Sequence, residues 1–256
     1  MLRINPALRL NSCRAVLVFY ALASPALAQD PAPSPAPPPP TWTGTAQVSF
    51  LGTRGNTRTS VLGVGAEAKY KGVSPWSVGA KAAFNRGSTG GDENLRNLLG
   101  VLRAGRALNE KTDLFVETAY AEDQYAGIDS RFGGELGLSR KLSVTEPHIL
   151  SIEGGLGGAH EVRLPGKTAR NFATARAGLA YKYVISKNAD FQEQVAFIEN
   201  LTDTKDWRLA HTAALTASLT ARFALKLSHS LLRLNTPPTG KKKTDTVIAA
   251  ALVAKF

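Results

Sequence analysis

The sequence predicts an all-β protein: a transmembrane antiparallel up-and-down β-barrel of about 12 strands, preceded by a signal peptide and a Pro-rich tether. Three observations carry this prediction. The chain of 256 residues begins with an export signal, continues in runs of roughly 10 to 14 residues that alternate apolar with polar side chains, and ends in phenylalanine. Such alternation has the period of a β-strand, because successive side chains point to opposite faces of a sheet.

Residues 1–28 have the pattern of a cleaved secretory signal. Basic residues at the start precede a short apolar core at 15–23, and Ala26 and Ala28 form the small-x-small pattern that signal peptidase recognises. The core is too short for a membrane-spanning helix, which needs about 20 residues. A lipoprotein box at Cys13 is a poorer alternative, because such a box follows the apolar core and Cys13 precedes it.

Residues 29–41 are rich in proline and predict an extended tether. Proline fixes φ and has no backbone donor, so this stretch cannot enter a helix or a sheet. A solvated periplasmic linker and a spacer that comes close to the cell wall both remain open. Residues 42–256 then form the predicted barrel domain.

The composition is basic, with a formal net charge of +11 from 31 Lys and Arg against 20 Asp and Glu. Three arginines lie in the signal, which leaves 28 minus 20, or +8. This charge indicates anionic surroundings such as lipid headgroups or nucleic acid. No aromatic-basic groove is present, so we expect no nucleic-acid partner. The single cysteine, Cys13, also lies in the signal, which excludes disulfides from the mature chain.

The strands are predicted from alternation between turn-forming clusters. Their length exceeds that of strands in soluble sheets and suits a tilted membrane strand, and aromatic residues cluster at their ends. The run at 95–108 is apolar at both parities, and the stretch at 213–227 also repeats at helical spacing, although its Thr and Ser alternation favours strands. The predicted strands begin near Trp42, Thr57, Trp76, Leu95, Asp113, Arg131, His148, Phe172, Asp190, Trp207, Phe223 and Thr246.

An even number of strands returns both ends of the domain to the periplasm, with long outer loops and short inner turns. The expected outer loops are 54–56, 86–94, 122–130, 161–171, 202–206 and 235–245. The last run alternates and closes on Phe256, which predicts an assembly signal that the barrel assembly machinery reads in the C-terminal strand.

On these features the chain resembles the salt-induced outer-membrane protein family, an uncharacterised-domain family of small barrels. The resemblance covers 42–256. It rests on Trp42-x-Gly44, Gly55-Asn56-Thr57, Asn235-Thr-Pro-Pro238 followed by Asp245, and terminal Phe256. It implies an outer-membrane location in a Gram-negative bacterium and a barrel fold, and it carries over no catalytic residue.

We predict that the protein is not an enzyme, with an outer-membrane lipid hydrolase as an alternative. A serine hydrolase needs a serine, a histidine and an orienting acid or amide together, and no glycine-flanked nucleophile accompanies the four histidines. Their spacing also predicts no metal site, and the glycine pattern at 154–158 lies inside a strand, where it cannot bind a phosphate at a helix N-terminus. No cofactor is therefore expected.

Two groups of residues are candidate sites. The predicted function is a structural or stress-adaptation barrel with a narrow polar lumen, and a small-solute pore or channel is the alternative. Basic loop residues could bind the phosphates of lipopolysaccharide by charge-assisted hydrogen bonds. The lumen candidates are Glu67, Lys81, Glu117, Glu135, Glu153, Arg176, Lys182 and Lys226, and the lipopolysaccharide candidates are Arg163, Lys167, Arg170, Lys241, Lys242 and Lys243.

Overall fold

A computed structural model describes residues 42–53, 59–71 and 75–256 of the chain. Within these residues, twelve antiparallel strands form one closed barrel, which confirms the predicted fold. The predicted signal and tether lie outside the described residues. The strands are β1 (Trp42–Thr53), β2 (Thr59–Lys71), β3 (Trp76–Thr89), β4 (Asp92–Ala107), β5 (Thr112–Asp123), β6 (Ile128–Thr145), β7 (His148–Arg163), β8 (Thr168–Ser186), β9 (Ala189–Asn200), β10 (Trp207–Ser218), β11 (Phe223–Leu234) and β12 (Thr244–Lys255).

The barrel closes between its first and last strands. Each strand pairs with its neighbours in sequence, and β1 pairs with β12 from Thr45 opposite Lys255 to Ser49 opposite Ala251. The Gly44 N–H donates to the Phe256 carbonyl at 2.6 Å, and the Phe256 N–H donates to the Gly44 carbonyl at 3.0 Å. Trp42 and Phe256 therefore share one end of the barrel, called the inner end below, and the opposite end is the outer end.

The outward face of the barrel is apolar and has aromatic residues at both ends. Val48, Phe50 and Leu156 are among the exposed apolar side chains of this face. At the inner end the rings of Trp42 and Tyr70 lie 5.0 Å apart, and at the outer end those of Trp207 and Phe197 lie 5.8 Å apart. An apolar band between two aromatic girdles is the arrangement that a barrel in a bilayer requires.

The outer connections differ from those predicted. Each strand begins within four residues of its predicted start, and β10 and β11 occupy the ambiguous stretch at 213–227. However, the expected outer loops at 86–94, 122–130 and 161–171 are short turns at 90–91, 124–127 and 164–167. Polar residues there extend the strands beyond the apolar band, as shown by Arg86 Nε and Glu93 Oε2 at 2.5 Å across β3 and β4. Polarity alone was therefore an unreliable sign of a loop.

Candidate functional site

The outer half of the lumen contains a packed apolar cluster. Leu99 and Val101 on β4 are buried in one cluster with Ala210 on β10 and with Leu232 and Leu234 on β11. β4 and β10 are six positions apart in the closed order of twelve strands, so this packing crosses the lumen from wall to wall. The sequence reading missed the cluster. The signal was present in the run at 95–108, whose apolar residues occupy both parities.

A buried ionic cluster lies beside the apolar one and consists of Arg103, Glu117, Glu135, Glu153 and Arg176. Arg103 Nη1 lies 3.1 Å from Glu117 Oε2, and its Nη2 lies 3.0 Å from Glu153 Oε2. Arg176 pairs with Glu135 and Glu153 and lies 3.5 Å from Glu117. Each of the five side chains is at most 11 % exposed. The two guanidinium groups thus hold three carboxylates in a region that bulk water does not reach.

Small and aromatic residues shape the space around the ionic cluster. The Arg103 guanidinium lies 3.6 Å from the centre of the Phe115 ring, a cation–π contact. That ring lies against Gly137, where a Cβ atom would come within 2.5 Å of it. A cavity of about 10 Å³ beside Glu117 and Glu135 has room for about one water molecule. At this level the lumen is filled by side chains.

The inner half of the lumen is polar and rich in lysine. Glu67 on β2 faces Lys81 on β3 in register, and Lys69 Nζ lies 2.7 Å from Glu67 Oε1. Lys226 on β11 has the same inward parity, as its register partner Thr216 does. Lys182 on β8 pairs in register with Gln192 at this end. The eight lumen candidates thus all point inward, but they divide between a buried central group and this inner group.

A separate group of ion pairs, called the rim cluster below, lies at the outer rim around two buried carboxylates, Glu161 and Asp206. Glu161 is fully buried and pairs with Arg131, with Arg163 at 2.5 Å and with Arg170 at 2.7 Å. Arg170 Nη1 also lies 2.7 Å from Asp206 Oδ2. The sequence reading placed Arg163 and Arg170 on a loop, but both lie at strand ends and turn inward. Lys167 is 71 % exposed, and Lys242 and Lys243 are exposed as well.

Asp206 connects two outer loops. Burial opposes its ionisation, but hydrogen bonds from Thr236 and Asn200 and the charges of Arg170 and Arg208 outweigh burial and hold the pKa of Asp206 at about 2. The Thr236 hydroxyl lies 2.6 Å from Asp206 Oδ1, so the carboxylate anchors the start of the loop at 235–243 to the loop at 201–206.

The loop at 235–243 also reaches across the outer mouth of the barrel. Pro238 is buried against Gly127, where a Cβ atom would lie 3.0 Å from the proline ring. Gly127 belongs to the turn between β5 and β6, whereas Pro238 lies between β11 and β12, on the opposite side of the barrel. The outer mouth is therefore covered by contact between two opposed connections.

Among the residues that the structure describes, the histidines and serines do not form a catalytic or metal-binding group. Among the hydrogen bonds of the described residues, the histidine side chains bond to Tyr181, Asn171 and Glu193, and no serine bonds to a histidine ring. No group of three or more His, Cys, Asp or Glu in the described part of the chain could hold a metal ion.

The Phe256 side chain is 76 % exposed on the outward face and lies over Gly44, which lacks the Cβ that would meet its ring.

The closed strand order, apolar outer wall and aromatic ends define a transmembrane β-barrel of the outer-membrane type. The chain belongs to the family described as "Protein of unknown function, DUF481", whose model matches residues 46–256. No curated protein matches the sequence. Within the described residues, no helix is long and apolar enough to cross a membrane.

Two solved structures share the fold. An outer-membrane channel from Pseudomonas putida F1 is 14 % identical with a TM-score of 0.53, and the alignment covers 90 % of this chain and 100 % of that one. The NanC porin is 10 % identical with a TM-score of 0.52, covering 84 % of this chain and 98 % of that one. At these identities the likeness shows the fold alone.

Proposed function

We propose that the protein is a structural or stress-adaptation barrel of the outer membrane, with a lumen that is closed at rest. The apolar cluster carries this proposal, because its buried residues come from β4 and from β10 and β11 on the opposite side of the barrel and therefore obstruct the lumen between them. The resemblance to the salt-induced family supports the stress role. Additional copies of a closed barrel would reinforce a membrane without adding leaks to it.

Conductance of the purified protein in a planar bilayer tests this proposal. We expect the wild-type barrel to add no ion current above that of the bilayer. A Leu99→Ala/Leu232→Ala variant should show brief open steps, because it removes two leucines of the apolar cluster and leaves the ionic cluster as the remaining obstruction. Leu98→Ala/Leu102→Ala is the matched control, since these leucines lie on the same strand and face outward. Stable steps from the wild type would reject a closed barrel.

A small-solute channel is the second candidate. The inner half of the lumen is lined by charged groups, including Lys69, Lys81 and Lys226. Such a lining suits the passage of a polar or anionic solute, whereas a barrel with a purely structural role does not need it. The two structures of the same fold are a porin and a channel by their descriptions. In a channel the apolar and ionic clusters would together form the gate, and stable conductance steps from the wild type would favour this candidate.

The ends and the exposed residues of the barrel suggest its orientation in the membrane and its partners. We infer that the inner end faces the periplasm and that the tether at 29–41 runs from it toward the cell wall. Phe256, exposed beside the closing strand pair, would be read by the barrel assembly machinery. Lys167, Lys242 and Lys243 are the exposed bases that suit lipopolysaccharide phosphates. Arg163 and Arg170 are engaged in the rim cluster, and Lys241 lies beside Gly127.

A further inference from the structure

Three ionisable side chains lie together on the outward wall of the barrel, away from the lumen. They are Glu193 on β9, His211 on β10 and His229 on β11, called the wall cluster below. His211 Nε2 lies 2.9 Å from Glu193 Oε1, and the rings of His211 and His229 are 6.3 Å apart. The side chains of Glu193 and His211 remain 39 % and 28 % exposed. Because the wall is apolar, these exposed surfaces face lipid rather than water.

The wall cluster lies well inside the apolar band. On β10, His211 follows Trp207 and Leu209 along the outward row and precedes Leu215, so apolar residues flank it toward both ends. Glu193 pairs in register with Ala213, and Ala213 pairs with His229 on its other side. A charged side chain on the lipid face near the bilayer midplane costs roughly 2–4 kcal/mol for a base and less for an acid. A cluster of this kind is therefore a candidate contact site.

The order of these residues suits one occupant, a second copy of the same chain. Across three strands the row reads acid, small residue, base: Glu193, Ala213, His229. A two-fold axis along the membrane normal and opposite Ala213 reverses the row, which brings Glu193 of each copy toward His229 of the other. Ala213 has a small side chain, which lets two walls approach closely.

We propose that the wall cluster is the centre of a two-fold interface between two copies of this barrel in the membrane. Twofold dimers are the commonest closed assemblies, and their interfaces must be self-complementary. Contact with a second copy would remove the carboxylate and both imidazoles from lipid. It would also give His229 an acidic partner in addition to its ring contact with His211.

Disulfide cross-linking in native outer membranes tests the interface. The only cysteine of the chain is Cys13, in the predicted signal, so an Ala213→Cys variant has a single thiol after export. Under mild oxidation we expect a covalent dimer of this variant. Leu102→Cys is the matched control, because Leu102 faces outward on β4, six strands away, and we expect it to remain monomeric.

Sedimentation of the wild-type protein in a mild detergent provides a second measurement that needs no variant. We expect a dimer, and a monomer from an E193L/H211L/H229L variant that remains inserted and heat-modifiable. Three results would overturn the proposal: a monomeric wild type, a triple variant that remains dimeric, or an Ala213→Cys adduct with a different protein. Equal cross-linking of Ala213→Cys and Leu102→Cys would show random collision and count against it as well.

Discussion

The guanidinium group of Arg103 on β4 meets the carboxylate of Glu153 on β7, with Nη2 and Oε2 3.0 Å apart, although two strands lie between them. Contacts of this kind connect strands that share no backbone hydrogen bonds. These ion pairs and those of Arg176 therefore stabilise the barrel in addition to the hydrogen bonds of its wall.

Loss of Arg176 should destabilise the barrel strongly. Arg176→Met leaves three buried carboxylates with one guanidinium, and removing one partner of a buried ion pair costs roughly 3–5 kcal/mol. The free energy of unfolding in urea, measured with the protein in lipid or detergent, should fall accordingly. Adding Glu153→Gln should restore part of the loss, and the exposed Lys187→Met should change little. An unchanged Arg176→Met barrel would contradict the ionic cluster.

Acid should release the outer loops. Because the pKa of Asp206 is lowered from 3.8 to about 2, the ionised carboxylate stabilises the fold above about pH 4, and this contribution disappears as the pH falls toward 2. Asp206→Asn should be less stable than the wild type at pH 7 by roughly 1.5–3 kcal/mol. The two should converge near pH 2. Thermal unfolding against pH measures this, with Asp203→Asn of the same loop as control.

Substitutions at two adjacent residues of β3 should have different effects, because the two side chains face opposite sides of the barrel wall. Lys81 points inward at Glu67, whereas Ala80 is exposed on the outward wall. Lys81→Glu should lower the melting temperature without blocking insertion, since it repels Glu67. Ala80→Arg should impair insertion into lipid, at roughly 2–4 kcal/mol near the midplane. Equal effects on vesicle insertion would show that the faces of β3 are assigned wrongly.

Phe256→Ala should lower the amount of protein assembled in the outer membrane. The substitution removes an exposed aromatic ring at the closing strand pair but keeps both backbone hydrogen bonds to Gly44. Export should be unaffected, so periplasmic degradation products should appear. Phe223→Ala, another exposed aromatic at the inner end, is the control. Normal levels of heat-modifiable Phe256→Ala protein would refute an assembly role for this side chain.

Thiol labelling of intact cells should establish the orientation. Cysteines at Gly90, Gly166 and Gly240 lie in outer turns and should react with an impermeant reagent, whereas one at Lys187 in an inner turn should not. All four positions are exposed, so accessibility depends only on the side of the membrane. The reverse pattern would place the inner end outside the cell.

The barrel itself could be predicted from the sequence because strand alternation is a local property. The period of two is set by side chains within each run, so the twelve strands and the parity of residues such as Glu117 and Arg176 followed from the pattern. Contacts across the lumen join residues that are distant in sequence. The ion pair of Arg103 with Glu153, and the presence of Leu99 and Leu232 in one apolar cluster, have no local signature. Polar strand ends, as at Arg163 and Arg170, have the same composition as a loop, so the sequence predicts a loop where the strands continue.

The apolar cluster that spans the lumen has a mechanical consequence. A hollow barrel can flatten into an ellipse at little cost, because its hydrogen-bonded wall bends without losing contacts. Protein interiors are close-packed and barely compressible, so a barrel packed through its centre resists that deformation. Under lateral pressure from the surrounding lipid, such a barrel should therefore keep its cross-section.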